Sequence, residues 1–238
     1  MGLGLAIGLE HAFEPDHVAA VSTQVSKLRS AKKQKYSLKK TITKSSFVGV
    51  LWGIGHTTSL ALVGLLVYVL AIQITENVFF GLEFGVGLML AFLGITTILN
   101  KRKELFGLKH RHPHTHKDGI IHFDEHDHSD SSHRHGHISY LIGMVHGLAG
   151  SGALVVLAAS TFESVGTMIT FTILFGMGSI IGMSLLSSAI GLPITFASKR
   201  QTVQKVFRYV AGGFSLLLGS FIMYEIGVLN DLFLIFKF

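Results

Sequence analysis

The sequence predicts an all-α polytopic membrane protein of six transmembrane helices, arranged as two inverted three-helix repeats in which helices 1 and 4 are broken. Three observations predict it. Of 238 residues, 49% are hydrophobic and only 14% charged, with a mean hydropathy of +0.52, far from the balance of a soluble domain. Windows nearly free of charge fall at about residues 1–25, 45–72, 78–99, 138–160, 165–196 and 207–228, and roughly 20 apolar residues suffice to cross a bilayer core. A sequence pattern from the first window recurs in the fourth.

The first window departs most from an ordinary span, because it holds the ionisable residues Glu10, His11, Glu14, Asp16 and His17. It has no basic leading region, and a cleaved signal would be purely apolar here, so the segment is expected to stay in the mature protein. Windows 2, 3, 5 and 6 read as uninterrupted spans. The abundance of Gly, 27 residues, suggests close helix packing.

Lys and Arg near spans are retained on the cytoplasmic side. Eight lie between Lys27 and Lys44, seven between Lys101 and Arg134, and four between Lys199 and Arg208, leaving one of the 20 elsewhere. The intervening loops, at about 73–78 and 161–165, contain none. Six spans put all three basic loops on one face. The expected placement is therefore a multi-pass protein of the plasma membrane with both termini outside. The formal charge of +6 follows from that orientation, with no nucleic-acid partner.

GLEHAFEPDHVAAV from Gly8 aligns with GMVHGLAGSGALVV from Gly143, pairing His11 with His146 and Val21 with Val156 at a constant offset. GIGHTTSL from Gly53 pairs with GMGSIIGM from Gly176, and Gly87 and Gly94 pair with Gly212 and Gly219. The expected organisation is a first three-helix repeat at 1–100, a His-rich cytoplasmic loop at 101–137 and a second repeat at 138–238. Three spans per half is odd, so the halves enter the membrane from opposite sides, as in many secondary transporters.

Ionisable residues inside a span are costly and mark ion paths or binding sites. On an unbroken helix His11 and Asp16 would lie about 140° apart, and His17 about 120° from His11. Pro15 cannot donate to the carbonyl of residue 11 and disfavours helical geometry at Glu14. The helix is therefore expected to unwind inside the motif, letting His11, Asp16 and His17 converge. Unwound backbone at that depth is tolerated only against protein or a water-filled cavity.

Two imidazoles and a carboxylate suit Ni²⁺, Co²⁺ or Zn²⁺, and the absence of cysteine excludes thiolate sites. Glu10 and Glu14 are candidates to support the ligands from behind or to face water, Glu14 the more so for its place between His11 and Asp16. His56, in LWGIGHTTSLALVG, is the best candidate for a further ligand. His146 is expected either to ligate or to make a polar contact within the bundle, since GLAGSG after it carries no carboxylate.

Ten of the fourteen histidines fall in residues 101–137, including HRHPHTH from His110, interleaved with acids. Such a tract chelates metal by composition and cannot form a packed core, so a mobile segment is expected. It is suited to buffering ions, sensing them, or passing them to a cytoplasmic metal acceptor. Its metal occupancy should fall as pH drops toward about 6.

HAFEPDH resembles the His-x4-Asp-His signature of the nickel/cobalt transporter (NiCoT/NicO) superfamily, and GIGHTTSL resembles its next-span Gly-His-Ser/Thr motif. The layout is most similar to the compact six-span branch that includes UreH-like permeases. The resemblance implies that His11, Asp16, His17 and His56 select and bind the ion, and that no ATPase subunit is used. Two departures stand out: the additional leading helix of eight-span members is missing, and the second half has no acidic motif.

The expected function is uptake of Ni²⁺ and/or Co²⁺, with no enzymatic activity and no cofactor. The alternatives are a Zn²⁺ permease, a Zn²⁺ or Ni²⁺/Co²⁺ exporter, and a metal-dependent intramembrane hydrolase with Glu14 as base. No His-Glu-x-x-His supports a zinc site of that kind. A thiol-based electron carrier is excluded by the lack of cysteine.

Overall fold

The structure, a computed structural model, describes residues 2–28, 38–70, 75–99, 111–115, 121–125, 132–149, 164–196 and 201–230. Among these are seven α-helices: α1 Gly2–His11, α2 Pro15–Leu28, α3 Leu38–Leu70, α4 Glu76–Ile98, α5 Ser132–Ala149, α6 Val165–Phe196 and α7 Gln201–Tyr224. A π-helical turn, Glu225–Leu229, continues α7, and strands β1 Arg111–Thr115 and β2 Ile121–Glu125 form an antiparallel hairpin.

Four helices are long and apolar enough to cross a membrane, at Thr41–Leu66, Asn77–Ile98, Val165–Pro193 and Thr202–Leu229. They correspond to windows 2, 3, 5 and 6. The first window is divided between α1 and α2, of 10 and 14 residues. At 1.5 Å per residue these reach about 15 and 21 Å, each short of a core about 30 Å thick. In the fourth window α5 ends at Ala149. Residues 147–149 of GLAGSG are still helical and close α5. The expected break of helix 4 and residues 150–163 lie outside the described residues, as do 29–37, 197–200 and much of 101–131, whereas Lys205 and Arg208 of the third basic stretch lie in α7.

The break between α1 and α2 follows from Pro15. Glu14 accepts the first backbone bond of α2, from Val18 N–H at 3.0 Å, so Pro15 stands at the first helical position. Its missing N–H costs nothing there, and its fixed φ suits a helix start. Residues 12–14 form a tight turn, closed by Phe13 N–H to Glu10 O at 2.9 Å and Glu14 N–H to His11 O at 3.1 Å.

Glycine lets the long helices touch at the backbone. A Cβ on Gly8 would strike the Phe175 carbonyl, and one on Gly143 would strike that of Trp52. One on Gly178 would meet Leu5 O, and one on Gly55 would meet Tyr140 O. Between α4 and α7, Gly87 packs on Gly219 and Gly94 on Gly212. These contacts come in reciprocal pairs.

The core beneath the break contains Ala12, Ala19, Ala20, Val21, Trp52, Leu90 and Met183. Polar groups inside the bundle are bonded across helices: Ser139 donates to Gln24 Oε1 at 2.8 Å, and Ser215 donates to Leu90 O at 2.8 Å. Outward positions such as Leu62, Leu88, Ile173, Leu185, Val210 and Leu217 are apolar and exposed, as a lipid-facing surface requires.

The hairpin departs from the expectation of an all-α chain and of a loop without regular structure. His112 stands opposite Asp124 in register, and His114 opposite His122. The overlooked signal is Asp118-Gly119 between the two strands, a pair that favours hairpin turns.

Candidate metal centre

The four histidines outside the His-rich loop, His11, His17, His56 and His146, come together at the break between α1 and α2. Each is essentially buried, with exposures of 3%, 0%, 0% and 0% respectively. His11 is the last residue of α1, and Asp16 and His17 lie in the first turn of α2. His56 projects from α3 and His146 from the last turn of α5. The break allows residues 11, 16 and 17 to face one another, which one continuous helix would forbid.

Asp16 bridges the two halves of the chain. One carboxylate oxygen accepts from the His17 backbone N–H at 2.9 Å and lies 3.0 Å from His17 Nδ1. The other lies 2.8 Å from His146 Nε2. A carboxylate in the first turn of a helix is also favoured by the dipole. The acid missing from the second half is thus supplied by the first.

His11 is held on its far side by Glu14, with Nδ1 to Oε1 at 2.8 Å. When Nδ1–H donates a hydrogen bond to a carboxylate, the tautomer is fixed and the Nε2 lone pair is left for a metal ion. That Nε2 lies 3.2 Å from His56 Nε2. Neighbouring ligands on an ion with bonds of roughly 2.0–2.1 Å stand about 3.0–3.4 Å apart, so the two nitrogens are spaced as co-ligands. Glu14 is 46% exposed, and Glu10 is exposed as well.

Ligand atoms of His11, His17 and His56 all lie within 4.8 Å of one another, as do those of Asp16, His17 and His146. His17 belongs to both groups. Its Nε2 and His146 Nδ1 are buried without a hydrogen-bond partner. Buried polar atoms are normally met by a protein group, an ordered water or an ion.

Trp52, the only tryptophan, was not among the sequence candidates. Its fully buried ring lies 5.1 Å from that of His17 and 5.3 Å from that of His146, edge-on to both. Trp52 precedes His56 by four residues, one helical turn, and that spacing is the signal that would have placed it beside the site. Phe175 packs against His11 at 5.4 Å between ring centroids. Trp52 thus packs on the His17 and His146 side chains and Phe175 on His11.

The long apolar helices and the buried set of four imidazoles around one carboxylate define a multi-pass membrane protein with a cluster that could hold a metal ion. The chain belongs to the family described as high-affinity nickel-transport protein, NicO, which it matches over residues 1–229. It is 34% identical, over 235 residues, to the urease accessory protein UreH of Bacillus sp. (strain TB-90), an alignment covering 97% of this chain and 93% of that relative. No solved structure matches it. The sequence resemblance drawn from two motifs therefore extends over nearly the whole chain, and the protein is a membrane transporter and not an enzyme.

Proposed function

We propose that the protein is a permease for Ni²⁺ and/or Co²⁺, binding the ion near the bilayer midplane through His11, Asp16, His17 and His56, with His146 contributing from the second half. The observation that carries this reading is the burial of all four non-loop histidines around Asp16. Imidazole and carboxylate suit these ions, and ionisable groups at such depth mark an ion path. Glu14 orients His11 and does not itself coordinate.

The chain crosses the membrane six times as two inverted repeats, 1–100 and 138–238, joined by the His-rich loop. Reciprocal packing supports this. Under the sequence pairing, the Gly8–Phe175 contact maps onto Gly143–Trp52, Gly178–Leu5 onto Gly55–Tyr140, and Gly87–Gly219 onto Gly94–Gly212. Paired contacts of this kind arise when two related halves face each other across a twofold axis.

The basic loops lie in the cytoplasm and both termini outside, in the plasma membrane. Uptake is favoured over export because the relative is named as an accessory to an enzyme, a role served by inward delivery to a cytoplasmic acceptor. The ion sheds water on entering the cluster and leaves toward the loop.

The test is uptake of radioactive nickel by vesicles holding the purified protein, with Co²⁺, Zn²⁺ and Mn²⁺ as competitors. The expected result is uptake inhibited by Co²⁺ and lost in His11→Ala and Asp16→Ala variants that remain folded. Wild-type rates in those variants would reject the site, and stronger competition by Zn²⁺ than by Co²⁺ would reject the ion assignment.

A further inference from the structure

We propose that the cluster is two overlapping ion stations joined at His17: one made by His11, His17 and His56, the other by Asp16, His17 and His146. This deepens the permease reading and rests on it. Each group of three meets the spacing of a metal site by itself. His17 is the one residue common to both, with Nδ1 toward Asp16 and Nε2 buried without a partner. The His17 ring lies midway, 4.5 Å between centroids from both His11 and His146.

The partners separate in the same way. His11 Nε2 faces His56 and its Nδ1 faces Glu14, whereas Asp16 turns one oxygen to His17 and the other to His146. The equivalent histidines of the two repeats, His11 and His146, therefore stand in different stations. Inversion of the halves gives each station its own side of the pathway. Two divalent ions sharing one imidazole repel strongly at this range, so the stations are filled in turn.

Transfer requires the ion to move across the His17 ring, exchanging His11 and His56 for Asp16 and His146 without leaving the buried site. The two stations differ in charge. The His56 station offers imidazoles alone, and the His146 station adds a carboxylate that compensates the ion's charge. Stations each weak enough to be vacated are what conduction through a multi-site path needs.

The test uses the full chain in lipid nanodiscs with Ni²⁺ and Co²⁺ as probes. Trp52 reports Ni²⁺ by fluorescence quenching, because no other tryptophan contributes. Expected for the wild type is one Ni²⁺ per chain. His56→Ala and His146→Ala should each still bind one ion, with Kd raised by no more than about tenfold, while His17→Ala raises it by about a hundredfold or more. Radioactive nickel uptake should fall in all three. The Co²⁺ visible spectra of His56→Ala and His146→Ala should differ, since one retained station includes oxygen and the other does not. If either single variant loses affinity as fully as His17→Ala, or the two spectra coincide, the cluster is one centre and the proposal is overturned. A wild type that transports while either variant fails to bind rejects the two stations alone, and a wild type that neither binds nor transports Ni²⁺ rejects the permease reading as well.

Discussion

Asp16 carries more of the site than any other side chain, because it joins His17 of α2 to His146 of α5 and brings the only carboxylate in either ligand group. Asp16→Asn keeps the shape and most of the hydrogen bonding but removes the charge that offsets a divalent ion. Uptake of radioactive nickel should fall at least about tenfold, with little change in melting temperature. Glu14→Gln is expected to do less. It keeps an oxygen near His11 Nδ1, and Glu14 is half exposed, so the loss should be within about the tenfold to hundredfold range seen when a group behind a metal ligand is altered, and at its lower end. A Kd for Ni²⁺ measured on both variants separates the two roles.

At the scale of the element, the unusual piece is an apolar segment built as two short helices. Pro15→Ala removes the reason for the break, and Ala is the best helix former. A continuous helix would turn Asp16 about 140° away from His11. Nickel uptake should collapse while helix content by circular dichroism stays constant or rises. The opposite pattern is expected at Gly8, where any side chain meets the Phe175 carbonyl. Gly8→Leu should cost about 1–3 kcal/mol of stability by overpacking and lower the melting temperature. Gly81→Ala, inside α4 and with nothing within 4 Å of its added carbon, should leave the melting temperature unchanged or slightly raised.

Across the whole molecule, most of what local chemistry dictates was legible in the sequence. Pro15 announced the break, four spans appeared as charge-free windows, and the abundance of Gly pointed to close helix packing, though not to the contacts of Gly87 with Gly219 and Gly94 with Gly212. What stayed hidden depends on contacts remote along the chain: the Asp16–His146 bridge, the approach of His56 to His11, and Trp52 against both His17 and His146. His146 read as ambiguous because its acid lies 130 residues away, and no local pattern encodes that pairing. Orientation, in contrast, rests on charge alone, and the absence of cysteine from the natural sequence makes it directly measurable. Single cysteines introduced as Lys33→Cys and Ser131→Cys lie in the two larger basic stretches, and Asn77→Cys and Ser164→Cys lie at the N-terminal ends of α4 and α6. With basic loops retained in the cytoplasm, a membrane-impermeant maleimide added to intact cells should label positions 77 and 164 and spare 33 and 131 until the membrane is opened. Labelling of 33 and 131 in intact cells would invert the chain, place the His-rich loop outside, and remove the case for delivery into the cytoplasm.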